Sequence, residues 1–383
     1  MNKIKKIYWA YRNKITNKLF GVVHMKAVGK KKGDILISYI TAPFTNAPWE
    51  PLSNYHTMYW ECYELAKILS EKGYSSDIID AGNTEFIPKK TYRVCIDSEK
   101  NLERFLPYLP RDCKKVFFEF MSDWKAYNEA EESRLLALEK RRGVKLLPRR
   151  KLDPSRNGEI ADYIIGFGNK TIFKTFERFS KPVIHIPISS VKEFDYPEDK
   201  NFSESMKNFV WMGGGGAVLK GLDITLEAFS KMPEFNLHVL GPASAEKDFV
   251  KEYKKELEET PNINYYGRVD VTGEKFKSII DKCSAVVYPS GAEGTSGTIV
   301  LAMHAGLVPI ISNETGIDEA SGYIPLENPT PESIIKTITK FSNMTEVEVK
   351  NISKKTWEYA RTHYTRKNHT NACKEFIEKE LNI

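Results

Sequence analysis

At 383 residues, 41% of them hydrophobic and with 19 Tyr and 20 Phe, the chain has apolar surface enough for two domains and is excluded from the intrinsically disordered class. Its net charge of +6 is uneven: residues 1–33 hold ten Lys and Arg and no acid, so the remainder carries −4 and overall charge gives no case for nucleic-acid binding. Five scattered cysteines, Cys62, Cys95, Cys113, Cys283 and Cys373, lack CxxC or metal-ligand spacing and read as buried thiols of a reducing compartment. No apolar run approaches the roughly 20 residues of a membrane span, and no signal-type core follows the basic N-terminus, so a cytoplasmic chain is expected.

In chain order, residues 1–33 form a basic tail. Ile4, Tyr8, Tyr11, Ile15, Leu19 and Val22 recur in it at helical spacing among Lys3, Arg12, Lys14 and Lys18. That is the composition of a helix lying on an anionic membrane surface, with a disordered tail or a helix docked on the next domain as the alternatives. Residues 34–190 then alternate strand and helix. Strands are expected at Asp34–Ile40, Ser76–Ile79, Tyr92–Ile96, Lys115–Phe118, Ala161–Gly166 and Pro182–Ile186, and helices at Tyr55–Lys72, Glu129–Arg142 and Asn169–Phe179. Arg141, Arg142, Arg149, Arg150 and Lys151 make a basic cluster around the charged helix. Such alternation implies a parallel sheet.

Residues 191–205 are polar, hold Pro197 and lack a period, so they are assigned as a linker. Residues 206–362 resume the alternation, with strands near Phe209, Leu237, Ile263, Ala285 and Val308 and helices at Leu222–Met232, Ala245–Glu259, Glu274–Cys283 and Thr298–Ala305. Helical stretches from Pro331, Glu346 and Arg366 finish the chain, the last, Arg366–Leu381, within a C-terminal segment 363–383. The fold class is α/β, with two doubly wound domains.

The chemistry concentrates in the second domain. In AVVYPSGAEGTSGTIVLAMHAGLVPIIS a buried strand stops at Pro289, a loop of small residues follows, and an apolar helix begins near Thr298. The helix start, preceded by Gly294, Ser296 and Gly297, offers unpaired N–H groups at the carboxyl end of a parallel strand, where anions bind. Glu293 stands just before them and either faces ligand hydroxyls or caps neighbouring amides. Upstream, Gly213, Gly214, Gly215 and Gly216 follow the strand FVWM and admit close approach of a ligand or another backbone. Lys220 comes next, at a helix start whose dipole it opposes; a diphosphate would compensate it, and a solvated lysine is the alternative. On the first domain the loops after strands supply acceptor-side candidates: Asn46, Trp49, His56, Glu119, Asp123 and Trp124. His185 and His304 fall inside apolar elements as core histidines. There is no Asp-x-Asp and no G-x-S-x-G elbow, and the seven histidines are dispersed, so neither a metal nor another cofactor is expected.

The Pro-Ser loop, the Glu, the Gly-rich helix start, Ala-Met-x-x-Gly and the strand through Val-Pro, with GGGGAVLKGLDITLEAF upstream, resemble the donor-binding signature of GT-B-fold glycosyltransferases, retaining family four (glycosyl transferases group 1) in particular. The resemblance implies two Rossmann-like domains facing across a cleft and a last helix crossing back onto the first domain. It also implies a nucleotide-sugar donor on the second domain, and metal-independent, retaining transfer to a glycan or lipid-linked acceptor in surface polysaccharide or glycolipid synthesis. Lys220 with Gly221 matches the family's Lys-Gly step at the pyrophosphate, and Glu293 its first glutamate, beside the donor sugar. Two positions depart: the family's pyrophosphate Arg falls on Gly214, and its second Glu, which binds ribose, falls on Leu301. Arg268, in a segment resembling the turn against the base, is the nearest candidate for a replacement cation, or for base recognition. Gly213–Gly216, Gly294, Ser296, Gly297 and Thr298 complete the expected donor site. A non-catalytic GT-B binding or scaffolding protein is the rival reading, since the two missing residues are what such a protein would lack.

Overall fold

The computed structural model describes residues 3–45 and 56–383. Among them, two parallel sheets form two domains. The first sheet contains β1 (Val23–Met25), β2 (Gly33–Tyr39), β3 (Tyr74–Asp80), β4 (Tyr92–Asp97), β5 (Lys114–Glu119), β6 (Tyr163–Gly166) and β7 (Val183–His185), in the order β1-β3-β2-β4-β5-β6-β7. All its neighbours run parallel except β1, which pairs antiparallel with β3 through Val23 opposite Ile78. The second contains β8 (Asn208–Met212), β9 (Asn236–Leu240), β10 (Ile263–Gly267), β11 (Ala285–Tyr288), β12 (Val308–Ile311) and β13 (Ile324–Pro325), in the order β10-β9-β8-β11-β12-β13, all parallel. Covered on both faces, β11 and β12 carry no charged residue, and Ala285, Val286 and Val287 are wholly buried. This is the GT-B architecture, with two Rossmann-like domains.

The described part of the basic segment, residues 3–33, is bound into the first domain. Its helix, Lys3–Phe20, turns back through Gly21 into β1 at the sheet edge. Asn13, 6% exposed, donates to Phe44 O at 3.3 Å and accepts from His24 N at 3.2 Å, which fixes which face of the helix looks inward. β1 and β13, three and two residues long, are too short to show a period, and sequence reading missed both.

Elsewhere the elements shift or break. The charged helix starts earlier, at Trp124, because Asp123 caps it, and runs to Arg142, where Gly143 stops it in the left-handed conformation. The helix expected at Asn169–Phe179 is split into Lys170–Lys174 and a 3₁₀ turn, Glu177–Phe179. That expected over Ala245–Glu259 is a 3₁₀ turn, a short α-helix Lys247–Glu252 and a π-turn Lys255–Glu259. Residues 191–205 are packed, with Tyr196 OH reaching Ser353 Oγ at 3.2 Å and a one-turn helix at Phe202–Ser205.

The last helix, Arg366–Lys379, crosses back to the first domain. His369 Nδ1 lies 2.9 Å from Pro187 O, Thr370 Oγ1 donates to Glu64 at 3.2 Å, and Phe376 packs edge-on against Tyr163. Just beyond it, Lys114 Nζ binds Glu380 O at 2.7 Å.

Candidate functional site

Strand order locates the site. From β8 the chain moves outward through β9 to β10, then returns to place β11 on the other side of β8, so the sheet changes direction between β8 and β11. Ligands of doubly wound sheets sit in the crevice at the carboxyl ends of such a strand pair. The segments that leave there are Gly213–Gly216 after β8 and Pro289–Gly297 after β11, the two Gly-rich stretches singled out by sequence.

Lys220 and Glu293 meet in that crevice. Each is 7% exposed, and Lys220 Nζ forms an ion pair with Glu293 Oε1. Tyr288, the last residue of β11, ties them together: Lys220 Nζ donates to its hydroxyl at 3.0 Å, and the hydroxyl donates to Glu293 Oε1 at 2.8 Å. Ser290 Oγ adds a third donor to the same oxygen at 3.3 Å. Burial first, and then the Glu293 charge, push the Tyr288 phenol pKa well up, so it stays a proton donor. Two chemical openings remain. An ammonium has three N–H donors and Lys220 spends two on Glu293 and Tyr288. The described contacts to Glu293 all fall on Oε1, which leaves Oε2 to accept from a ligand hydroxyl.

The backbone donors divide. Glu246, 6% exposed, accepts from Gly216 N at 2.6 Å and from Ala217 N at 3.1 Å, and Gly213 N binds Leu240 O, so among the described residues Gly214 and Gly215 retain unpartnered amides. At the helix Gly297–His304, Ser296 occupies the N-cap without a side-chain cap bond, and Ser296 N is taken by Thr315 O at 2.9 Å. The N–H groups of Gly297 and Thr298 have no acceptor among the described residues. Arg268 is exposed, just past the end of β10 and two strands from the crevice. Leu301 is 4% exposed and part of the core.

The first domain closes over this crevice. Ser122 N donates to Glu293 O at 2.9 Å, Arg134 Nη2 to Pro289 O at 2.6 Å, and Asn169 Nδ2 to Asn313 O and Ile317 O at 2.9 Å. A Cβ on Gly294 would lie 2.0 Å from Phe120 O; the glycine is required there by the approach of the other domain. Three arginines of the cluster reach across as ion pairs: Arg141 to Asp223 and Glu227, Arg142 to Glu252 and Glu256, and Arg149 to Asp248.

The acceptor-side candidates separate. Glu119 ends β5 and accepts from Met121 N at 3.1 Å; burial, with smaller contributions from Asp123 and Glu99, pushes its carboxyl up to about 8, so it carries a proton at neutral pH. Asp123 is committed to structure. It is 4% exposed, caps the helix at Lys125 N and pairs with Arg178 through both oxygens, at 3.2 and 3.1 Å. Trp124 Nε1 is likewise tied to Ser155 O at 3.1 Å. His56 is exposed; desolvation, then the opposed pulls of Glu61 and of the Arg150 and Lys220 cations, leaves its pKa lowered. Asn46 and Trp49 lie outside the described residues. His185, expected in the core, is instead exposed at the end of β7, edge-on to Phe173, whereas wholly buried His304 reaches Tyr364 O at 2.9 Å. Sequence reading missed Tyr288, Ser290 and Glu246. Tyr288 alone had a visible signal, a hydroxyl at the carboxyl end of a buried strand.

Among the described residues no group of three His, Cys, Asp or Glu is placed to hold a metal ion, and no helix is long and apolar enough to cross a membrane. No curated protein matches the sequence. Solved structures do. Sucrose-phosphate synthase from Thermosynechococcus elongatus aligns at TM-score 0.63 and 13% identity over 91% of this chain and 99% of that one. Anabaena HepE in complex with UDP and glucose aligns at TM-score 0.57 and 10% identity, over 91% and 99%. A TarM variant from S. aureus, in complex with fondaparinux, alpha-GlcNAc-glycerol and UDP, aligns at TM-score 0.52 and 14% identity over 73% of this chain, which spans only 54% of TarM. At such identities these likenesses establish the fold. Residues 195–361 match the family model of the glycosyl transferases group 1. That match covers the C-terminal domain of a chain whose fold is GT-B.

Proposed function

We propose that the chain transfers a sugar from a nucleotide-sugar, bound in the β8/β11 crevice, to a glycan or lipid-linked acceptor held by the first domain. The observation that carries this reading is the buried Lys220–Tyr288–Glu293 cluster at the sheet's change of direction, with one ammonium N–H and one carboxylate oxygen left to spend. As the bond from the anomeric carbon to the diphosphate breaks and the acceptor oxygen takes its place, negative charge gathers on the leaving oxygens. Lys220 and the free amides of Gly297 and Thr298 stabilise it, while Glu293 orients the sugar hydroxyls. No metal is invoked in this scheme, and retention at the anomeric carbon follows the family resemblance. Uridine diphosphate sugars are the first donors to test, because UDP occupies the HepE and TarM neighbours.

The acceptor side is a membrane surface in this reading. Docked by Asn13, the N-terminal helix leaves Tyr11, Ile15 and Leu19 on one outward face, 70%, 49% and 66% exposed, with Lys14 and Lys18 beside them. Apolar anchors among basic residues suit an anionic bilayer, where each cation contributes about 1 kcal/mol. The reading is of an enzyme working at the inner face of a membrane, in surface polysaccharide or glycolipid assembly.

The deciding experiment incubates the full chain with a panel of nucleotide-sugars and anionic liposomes carrying extracted bacterial lipids, and measures nucleoside diphosphate release. Release with one donor, lost in Lys220→Ala, is expected. Tight binding of a nucleoside diphosphate with no release under any pairing would replace catalysis by the scaffolding role to which Leu301, in place of a ribose-binding carboxylate, also points.

A further inference from the structure

The family's pyrophosphate arginine has no counterpart at Gly214, yet a guanidinium does enter the crevice, from the other domain. A side chain on Gly214 would meet no protein atom within 4 Å, whereas the position of a Cβ on Gly216 is already filled, 2.4 Å from Arg150 Cγ and 3.1 Å from Cδ. Gly216 also has φ +91°, so glycine is demanded there twice, by the backbone and by the arginine stem lying on it. The stem is held in place. Arg150 N donates to Glu131 Oε1 at 2.8 Å, and Nε donates to the hydroxyl of fully buried Tyr127 at 3.3 Å.

Its neighbours in the cluster have a different fate. Arg141, Arg142 and Arg149 each end on a carboxylate of the second domain, but among the described residues no carboxylate lies within 4 Å of Arg150. Nor do its two terminal nitrogens find a hydrogen-bond acceptor there. A half-buried guanidinium held at its stem and unmatched at its fork is unfavourable unless an anion completes it. Around it stand the unpartnered amides of Gly214 and Gly215, and Glu293 and Tyr288 act on it electrostatically.

We propose that Arg150 is the second cation of the diphosphate site, delivered by the N-terminal domain, so that the site is complete only when the two domains are closed. The proposal rests on the nucleotide-sugar reading above and adds to it the source of the missing positive charge. The ligand class is a diphosphate ester; a planar guanidinium fork binds two of its oxygens at once where Lys220 gives a single point charge.

The test is calorimetric titration of the full-length chain with uridine diphosphate, uridine monophosphate and inorganic pyrophosphate, on wild type, Arg150→Ala, Arg150→Gln and Lys220→Ala, each checked for fold by circular dichroism. Losing a charge-assisted bidentate contact should weaken uridine diphosphate about tenfold to a hundredfold. Uridine monophosphate should change less than about threefold, within the scatter of a contact not made. Arg150→Gln retains a donor for Tyr127 without the charge and should lose as much as Arg150→Ala. Pyrophosphate weakened in parallel would place the contact on the diphosphate itself. Equal losses for mono- and diphosphate would make Arg150 a structural residue and overturn the proposal. So would undiminished diphosphate binding in Arg150→Ala and Arg150→Gln while Lys220→Ala loses it, which would leave the donor-site reading standing. A wild-type chain that binds none of the three probes nor any other nucleoside diphosphate would remove both.

Discussion

Lys220 and Glu293 are paired to one another inside protein, so each single substitution strands a charge and the pair should be cut as a cycle. Lys220→Met leaves Glu293 with the Tyr288 and Ser290 hydroxyls as its remaining donors. Breaking a buried pair costs ~3–5 kcal/mol, and those two hydroxyls put this variant at the low end, about 3 kcal/mol. Glu293→Gln leaves the ammonium with Tyr288 as its described partner and should cost about as much. In a domain of this size each kcal/mol lowers the melting temperature by about 2–4 °C, so each single variant should melt about 6–12 °C lower. The double variant strands nothing. It should recover about 1.5–3 kcal/mol relative to the sum of the singles, the coupling of directly paired groups. Urea unfolding followed by circular dichroism measures all four corners, and titration with uridine diphosphate follows function. Binding of the diphosphate should fail in Lys220→Met and stay lost in the double variant, since stability returns without the cation. Singles that cost under 1 kcal/mol, or a double that is additive, would refute the buried pair; a double that regains diphosphate binding would refute the phosphate role of Lys220.

Glu119 predicts a pH effect. Its carboxyl titrates near 8 in the folded chain against 4.5 when free, so folding takes up a proton between those values and stability falls as pH climbs through that window. Glu119→Gln should gain on wild type by on the order of 1–3 kcal/mol from pH 5 to pH 9, read by urea midpoints at each pH; parallel profiles would contradict it. Gly294→Ala puts a methyl against Phe120 O, so small-angle scattering should show an opened molecule and transfer should fall at least about tenfold while the C-terminal sheet melts unchanged. An unaltered scattering profile would count against closure through this loop. Serine at Tyr11, Ile15 and Leu19 together should abolish flotation with anionic liposomes and leave transfer to a soluble acceptor intact. Substitution is preferable to truncation through Lys32, which would also strip β1, whose Val23 is wholly buried, from the sheet edge.

What sequence made legible was whatever local pattern dictates. The alternation of buried strands and helices, the glycine runs after β8 and β11, and Lys220 and Glu293 all follow from periodicity and from glycine at the carboxyl ends of strands. What stayed hidden depends on distance along the chain. Tyr288 and Ser290 matter because they converge on Glu293, and Glu246 matters because it folds back 30 residues onto Gly216 N. Arg150 was visible as one member of a basic cluster, but nothing local distinguishes it from Arg149, whose guanidinium reaches Asp248. Short elements fail for another reason: β1 owes its existence to the exposed edge of β3 and to Asn13, not to its own three residues.

The closed form also has to be held shut without ligand. Arg150 and Lys220 bring two cations to one crevice, with Glu293 offsetting one of them, and bare closure would therefore be opposed. The ion pairs of Arg141, Arg142 and Arg149 supply the opposing pull from the rim, where their side chains remain 26%, 24% and 35% exposed. At that exposure the Arg149–Asp248 pair, 35% and 28% exposed, is worth about 0–1 kcal/mol, and less in high salt. On the proposed reading, the rim biases closure, and a diphosphate engaging Arg150 from one side and Lys220 from the other adds to it. If Arg150 is the second cation of the proposed diphosphate site, domain closure and donor binding are one event, because the charge absent at Gly214 is then carried by the other domain.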